Sequence, residues 1–141
     1  MRAARYLSFA TCLLAAILFC LTIGVTEAQA GKKLTLTVAV GAFDGPNPGT
    51  SGPFQIDGTI EGGGTFQCWG WVLTDGVTTL VSQVYELPSG QLMTQGIEGG
   101  LIAVTGGTGR FSNARGEGLQ TFGGDGFTLD LELIAGGGAG S

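Results

Sequence analysis

Three features of the sequence predict an all-β domain. Apolar and polar residues alternate with a period of two in eight short segments, which is the pattern of half-buried strands. Turn-forming residues, mostly glycine, separate these segments, and no segment shows the period of an amphipathic helix. Even spacing of this kind is typical of an antiparallel up-and-down barrel or a β-sandwich. We favour the eight-stranded barrel, because closure removes sheet edges and leaves an interior sized for side chains or one small ligand.

The predicted strands follow one another through residues 31–135. The first alternates leucine and valine with threonine and alanine. Three prolines and four glycines between residues 41 and 53 then predict an irregular loop, and Asp75-Gly76 is a hairpin signal between the third and fourth strands. The predicted strands are 34–40, 54–60, 65–73, 77–87, 91–98, 101–105, 113–122 and 126–134.

The first 30 residues have the order of a secretory signal peptide. Arg2 and Arg5 precede an uncharged apolar stretch over residues 6–25, and Ala28-Gln29-Ala30 supplies a small-residue cleavage site. We therefore expect an extracellular or periplasmic protein, although a stretch of this length could also be an uncleaved membrane anchor. Cleavage would leave one domain over residues 31–135, followed by a flexible glycine-rich tail over 136–141.

Charge and composition exclude several kinds of function. Residues 31–141 carry four basic and ten acidic side chains, a formal charge of 4 − 10 = −6, so nucleic acid is not an expected partner. The sequence contains no histidine, which removes Ser-His-Asp and Cys-His nucleophiles and histidine-based zinc sites. Cys68 is the one cysteine after residue 30 and has no partner for an intramolecular disulfide. We expect neither a metal nor a cofactor.

One segment resembles a family signature. An apolar strand from Leu101 enters the turn Gly106-Gly107-Thr108-Gly109, and the aromatic Phe111 and then Ala114-Arg115-Gly116 follow. This order is similar to the hallmark of the allene oxide cyclase and dirigent proteins, and the resemblance extends over about residues 65–133. It implies a calycin-like eight-stranded barrel that holds an apolar small molecule and assembles as a trimer.

The resemblance also implies candidate catalytic residues. Arg115 matches the arginine that dirigent proteins project into their pocket, and the two-residue strand period puts Glu117 on the same face. A structural ion pair between these two is an equally good interpretation, because buried charges are normally paired. Cys68 lies on the strand where allene oxide cyclases carry a pocket cysteine, although a lone buried cysteine is more often a small core residue.

Candidate ligand-binding residues come from the strands that form pocket walls in the family. Strand 65–73 is apolar on both faces, with Phe66 and Cys68 on one and Trp69 and Trp71 on the other, so one face could line the barrel while the other meets a neighbouring subunit. The candidate wall residues are Phe66, Trp69, Trp71, Tyr85 and Glu98.

Two functions fit these observations. The first is an exported barrel that binds an apolar or phenolic small molecule and steers its cyclisation or coupling, an isomerase-type activity that relies on proximity and orientation and needs no metal or cofactor. A coupling reaction of the dirigent kind would need a separate oxidase. The second is a non-catalytic carrier or structural barrel with the same fold.

Overall fold

The computed structural model describes residues 31–134, and in it eight antiparallel strands form one closed barrel in chain order. The predicted fold class is therefore confirmed. The strands are β1 (Lys32–Asp44), β2 (Gly52–Ile60), β3 (Thr65–Val72), β4 (Thr79–Leu87), β5 (Gly90–Ile97), β6 (Leu101–Gly107), β7 (Arg115–Gly123) and β8 (Gly126–Ile134), with a 3-10 helix at Gly109–Phe111 between β6 and β7. The predicted signal peptide and tail lie outside the described residues.

The pairing of β1 with β8 closes the barrel. It runs in register from Lys32 opposite Leu133 to Ala39 opposite Gly126, and the Thr35 hydroxyl donates a hydrogen bond of 2.7 Å to the Asp130 carboxylate across it. Closure satisfies the backbone groups that an open sheet would expose at its edges. Within residues 31–134, no helix has the length and apolar character that crossing a membrane requires.

The loop predicted over residues 41–53 is shorter in the structure. β1 continues to Asp44, and its pairing with β2 shifts by a bulge between Val40 and Phe43. The bulge adds a residue to one strand only, so the strand bends and continues instead of ending. The connection that remains, residues 45–51, contains Pro46 and Pro48.

Inward-facing side chains fill much of the barrel. Phe66 is at the centre of an aromatic cluster, with its ring centroid 5.2 Å from those of both Tyr85 and Phe127. Removing these rings from water is the main stabilising contribution that such an interior can make. The buried hydrophobic residues are Leu36, Val38, Phe54, Ile60, Phe66, Cys68, Val81, Tyr85, Leu92, Ile102, Val104, Ala114, Phe127, Leu129, Leu131 and Leu133.

The connections divide into two groups, and each group forms one end of the barrel. We call the end with connections 61–64, 88–89 and 108–114 the closed end, and the end with connections 45–51, 73–78, 98–100 and 124–125 the open end. At the closed end, the backbone N–H groups of Thr108 and Arg110 donate hydrogen bonds of 2.9 Å to the carbonyls of Gln91 and Ser89. The glycine turn of the family-like segment is thus bonded to the neighbouring β4–β5 turn.

Candidate functional site

Two clefts adjoin at the open end. The first has a volume of about 530 Å3 and the second about 620 Å3, and both are lined by Ile56 and Glu98. The other lining residues are largely apolar or aromatic. In the first cleft they include Phe43, Phe54, Val72 and Val77, and in the second Val40, Phe66, Phe122 and Phe127.

The β1 bulge helps to build the first cleft. Because the bulge adds one residue to β1, Phe43 pairs with Ile56 in a register shifted from that of the rest of the strand. The ring of Phe43 stacks on that of Phe54 with centroids 6.0 Å apart. The following loop passes close to both rings at Gly45, where an added Cβ would lie 2.5 Å from Phe43 Cζ and 2.6 Å from Phe54 Cβ. Glycine at this position therefore allows the loop to form one wall of the cleft.

The second cleft has an aromatic wall formed by three strands. Phe127 near the start of β8 contacts Phe66 of β3 edge to face at 5.2 Å and Phe122 of β7 at 5.7 Å. Rings in these orientations offer both faces and edges to a planar ligand. Phe66 and Glu98, which the sequence predicted as ligand-binding residues, lie together in this lining.

Glu98 supplies the carboxyl group that the two clefts share. It lies in the β5–β6 connection, where its backbone N–H donates a hydrogen bond of 3.0 Å to the carbonyl of Thr79. Its side chain is half-buried, and this burial raises the pKa of the carboxyl above its ordinary value because a charged carboxylate loses hydration there. The group can donate a hydrogen bond when protonated and accept one when ionised.

A row of polar side chains crosses the interior behind the clefts. Gln83 of β4 lies between its paired neighbours Cys68 of β3 and Thr94 of β5. The Gln83 side-chain carbonyl oxygen accepts hydrogen bonds of 2.9 Å from both the Tyr85 and Thr94 hydroxyls. This bonding offsets the cost of burying the amide and both hydroxyl groups.

The acid–base properties of this row limit its chemistry. Burial raises the pKa of the Cys68 thiol to about 12, the nearby Glu98 carboxylate adds to that rise, and a hydrogen bond with Gln83 lowers it. Burial also raises the pKa of Tyr85. Both groups therefore stay protonated near neutral pH, and a protonated thiol is a poor nucleophile. In this structure Cys68 has the properties of a core residue.

The prediction that the Arg115 guanidinium lies inside the barrel is wrong. Arg115 and Glu117 share a face of β7 as expected, but that face is the outer one and both residues are exposed. The guanidinium donates a hydrogen bond of 2.7 Å to the carbonyl of Ala114, and Glu117 lines an outer groove beside Lys33 and Glu132.

Glycine explains why the sequence did not reveal which face of β7 points inward. The inward positions include Gly118, whose missing side chain leaves room for two residues of β8. An added Cβ there would lie 2.7 Å from Leu131 Cδ2 and 2.8 Å from Leu129 Cδ1. Side chains of β8 therefore fill the interior beside Gly118. As a result, β7 has no run of large apolar residues that would mark its inner face.

Trp69 and Trp71, predicted as pocket walls, face outward instead. They are 46% and 50% exposed, whereas Phe66 and Cys68 on the opposite face of β3 are buried. Trp71 pairs with Leu80, and Leu80 pairs with Ile97, so exposed apolar side chains continue across three strands. We call Trp69, Trp71, Leu80 and Ile97 the outer apolar band.

Several residues near the clefts were not singled out from the sequence. Phe43 lies in the segment that the sequence predicts as a loop, and Gln83, Thr94 and Gln120 are polar residues within predicted strands. The available signal was the two-residue spacing between Gln83 and Tyr85, which puts the polar side chain on the same face as a buried tyrosine. The structural-turn residues all lie at the closed end: Gly106 and Gly107 end β6, Thr108 is the N-cap of the 3-10 helix, and Gly109 is its first residue.

The geometry defines a small closed β-barrel with an aromatic-lined opening at one end. Within residues 31–134, no three potential histidine, cysteine or carboxylate ligands lie close enough to hold a metal ion. No protein-family profile and no curated protein sequence matches the chain.

A solved structure of similar fold is that of a pyocyanin demethylase. The two align with a TM-score of 0.62 and 17% sequence identity, over 73% of this chain and 100% of that chain. At this identity the similarity shows the fold alone. Membership of the allene oxide cyclase and dirigent family therefore stays a prediction from the glycine-turn segment.

Proposed function

We propose that the barrel binds an apolar, aromatic or phenolic small molecule at its open end and positions it for a reaction such as cyclisation or coupling. The observation that carries this proposal is the meeting of two aromatic-lined clefts at one half-buried carboxyl, that of Glu98. Their volumes, about 530 and 620 Å3, fall in the range of roughly 300 to 1,000 Å3 that small-molecule sites usually have.

Glu98 is the residue that we assign to proton transfer. Its raised pKa moves the carboxyl towards the neutral range, where a side chain can serve as either a general acid or a general base. Protonated Glu98 would donate to an oxygen or nitrogen of the ligand and take the proton back later in the reaction. The aromatic walls would restrict the ligand to one orientation, which by itself accelerates ring closure or coupling.

The fold comparison supplies a first compound to test. The structural neighbour is named for demethylating pyocyanin, and the proposed site here has aromatic walls suited to a ring compound. Pyocyanin is therefore a reasonable probe, without any implication that it is the natural ligand.

Export and assembly are part of the same proposal. The order of residues 1–30 supports secretion, and a coupling reaction outside the cell would draw on a separate oxidase. The outer apolar band supports self-association, since Trp69 and Trp71 are each about half exposed and continue into Leu80 and Ile97. A homotrimer is the assembly that the family resemblance implies.

A carrier without catalysis is the second candidate. It is favoured by the protonated state of the buried Cys68 and Tyr85, which leaves the carboxyl groups of Glu98 and Asp125 as the ionisable groups in the cleft linings. Such a protein would bind its ligand and release it unchanged.

The first experiment measures pyocyanin binding by calorimetry and product formation by mass spectrometry, with protein expressed from the full chain. Glu98→Gln keeps the shape of the side chain but cannot ionise, so we expect affinity within about threefold of wild type and a loss of roughly 100-fold in product formation. Glu117→Gln makes the same change on the outer face and should alter neither quantity.

Each alternative has a distinct result in this experiment. Product formation by the wild type would contradict the carrier. A wild-type protein that binds neither pyocyanin nor the apolar dye Nile red would contradict a ligand site at the open end. A loss of product in Glu117→Gln but not in Glu98→Gln would return the catalytic role to the pair predicted from the sequence.

A further inference from the structure

Gln120 is a buried amide without a hydrogen-bond partner. The side chain points inward from β7 and is 4% exposed, and within residues 31–134 neither its Nε2 nor its Oε1 atom has a partner. Gln83, the other buried glutamine, has a carbonyl oxygen that accepts two hydrogen bonds. An unpaired buried polar group costs free energy and is rare in folded proteins, so Gln120 calls for a physical explanation.

The position of Gln120 is next to the second cleft. It pairs with Leu129 across β7 and β8, and the following inward pair towards the open end is Phe122 with Phe127. Both of these phenylalanines line the cleft. Since two residues of a strand span roughly 7 Å, Gln120 lies directly behind the aromatic wall.

Space around Gln120 is restricted on the side of the closed end. The next inward residue in that direction is Gly118, and the side chains of Leu129 and Leu131 occupy the volume beside it. On the other side, Phe122 is 51% exposed, and its ring lies beside the β5–β6 connection, where an added Cβ at Gly99 would be 3.7 Å from Phe122 Cε2. Rotation of this half-exposed ring away from the wall would open Gln120 to the cleft.

We propose that Gln120 is a ligand-binding residue of the open-end site and that it selects ligands in which a hydrogen-bond donor lies beside an acceptor. A primary amide presents an N–H group and a carbonyl oxygen side by side, so it pairs with a carboxamide, a lactam or a protonated carboxylic acid through two hydrogen bonds. This inference rests on the proposed function and specifies its ligand class: an aromatic body in the cleft with such a group at its inner end. Sites built to form hydrogen bonds discriminate strongly against analogues that cannot form them.

The test compares two probes of similar shape, naphthalene-2-carboxamide and 2-isopropylnaphthalene, with protein expressed from the full chain. We expect the wild type to bind the carboxamide at least about tenfold more tightly, because the hydrocarbon leaves the amide of Gln120 unpaired. Gln120→Leu should bind the two probes within about twofold of each other. Gln95→Leu makes the same substitution on the outer face, where Gln95 donates to Ser82, and should keep the wild-type preference.

Thermal unfolding of the ligand-free protein gives a second measurement. Gln120→Leu should raise the melting temperature, since it replaces an unpaired amide with an apolar side chain of similar size. A lower melting temperature combined with an unchanged probe preference would show that water or a structural contact satisfies Gln120, and would overturn the inference.

The outcomes separate this inference from the proposed function. If the wild type binds both probes equally, the open-end site stands and the role of Gln120 is wrong. If it binds neither probe, and binds neither pyocyanin nor Nile red, both proposals fail together.

Discussion

The two ends of the barrel differ in how their connections are made. At the closed end, the 88–89 turn and the 108–114 connection are bonded to each other, and an added Cβ at Gly90 would lie 2.2 Å from the Thr108 carbonyl oxygen. At the open end, connections 45–51 and 73–78 also touch, since an added Cβ at Gly76 would lie 2.7 Å from the Gly49 carbonyl oxygen, but an added Cβ at Gly124 in the β7–β8 connection would meet nothing within 4 Å. Two clefts remain at this end around Glu98. The segment that resembles a family signature, Gly106 to Gly109, lies at the closed end, away from both clefts. A recognisable motif can therefore mark how a fold is built without marking where it binds.

The largest change in the free energy of unfolding is expected at Gly90, where the backbones of the closed end are tightly packed. Gly90 has a φ of 137°, a conformation that side chains rarely adopt, in addition to its contact with Thr108. Gly90→Ala should therefore lower the free energy of unfolding by about 2 to 6 kcal/mol, through backbone strain and overpacking. Urea denaturation followed by tryptophan fluorescence measures this change.

Gly123→Ala is the matched control at the open end. Its added Cβ would meet nothing within 4 Å, so its free energy of unfolding should stay within about 0.5 kcal/mol of wild type. Equal losses of unfolding free energy in Gly90→Ala and Gly123→Ala would show that the two positions are packed equally tightly.

An intermediate effect is expected for the polar row between the two ends. Tyr85→Phe removes one of the two hydrogen bonds to Gln83 but keeps the ring against Phe66, so it should cost about 0.5 to 1.5 kcal/mol. Because this row supports the fold in the structure, affinity for pyocyanin should change by less than about twofold. A tenfold loss of affinity would instead make Tyr85 a ligand residue, as the sequence predicted.

The smallest effect concerns pH and Glu98. Burial in the folded protein raises the pKa of this carboxyl above its ordinary value, so at a pH well below that ordinary value the group is neutral in both folded and unfolded states. As pH rises through the folded pKa, the unfolded state gains more from ionisation, and wild type should lose stability relative to Glu98→Gln. Unfolding curves of both proteins between pH 4 and pH 8 measure the difference. A relative gain in wild-type stability with pH would contradict the raised pKa.

The strands were predictable because their signals are local. Alternation along residues 34–40 and the Asp75-Gly76 turn each depend on a few neighbouring residues, and the structure has a strand or turn at both places. In the turn, the Asp75 carboxylate accepts hydrogen bonds from the backbone N–H groups of Val77 and Thr78. The continuation of β1 beyond Val40 was missed, because a bulge depends on pairing with a partner strand and not on composition.

The candidate site was only partly predictable. Phe66 and Glu98 both line the second cleft, and their role in ligand binding stays a prediction. Trp69 and Arg115 face outward, which the sequence does not indicate, because strands with two apolar faces or with alternating glycines carry no sign of which side faces inward.

The sequence by itself determined that this chain forms eight short strands joined by turns, since backbone preference and side-chain alternation act over a few residues. The tertiary structure decided which faces point inward and which residues meet. The interior requires β1 to pair with β8, as Thr35 does with Asp130, 95 positions later in the chain. That closure fixes the register of every strand, brings Glu98 beside Ile56 and turns Arg115 outward, because a closed sheet has one interior volume that its side chains must share.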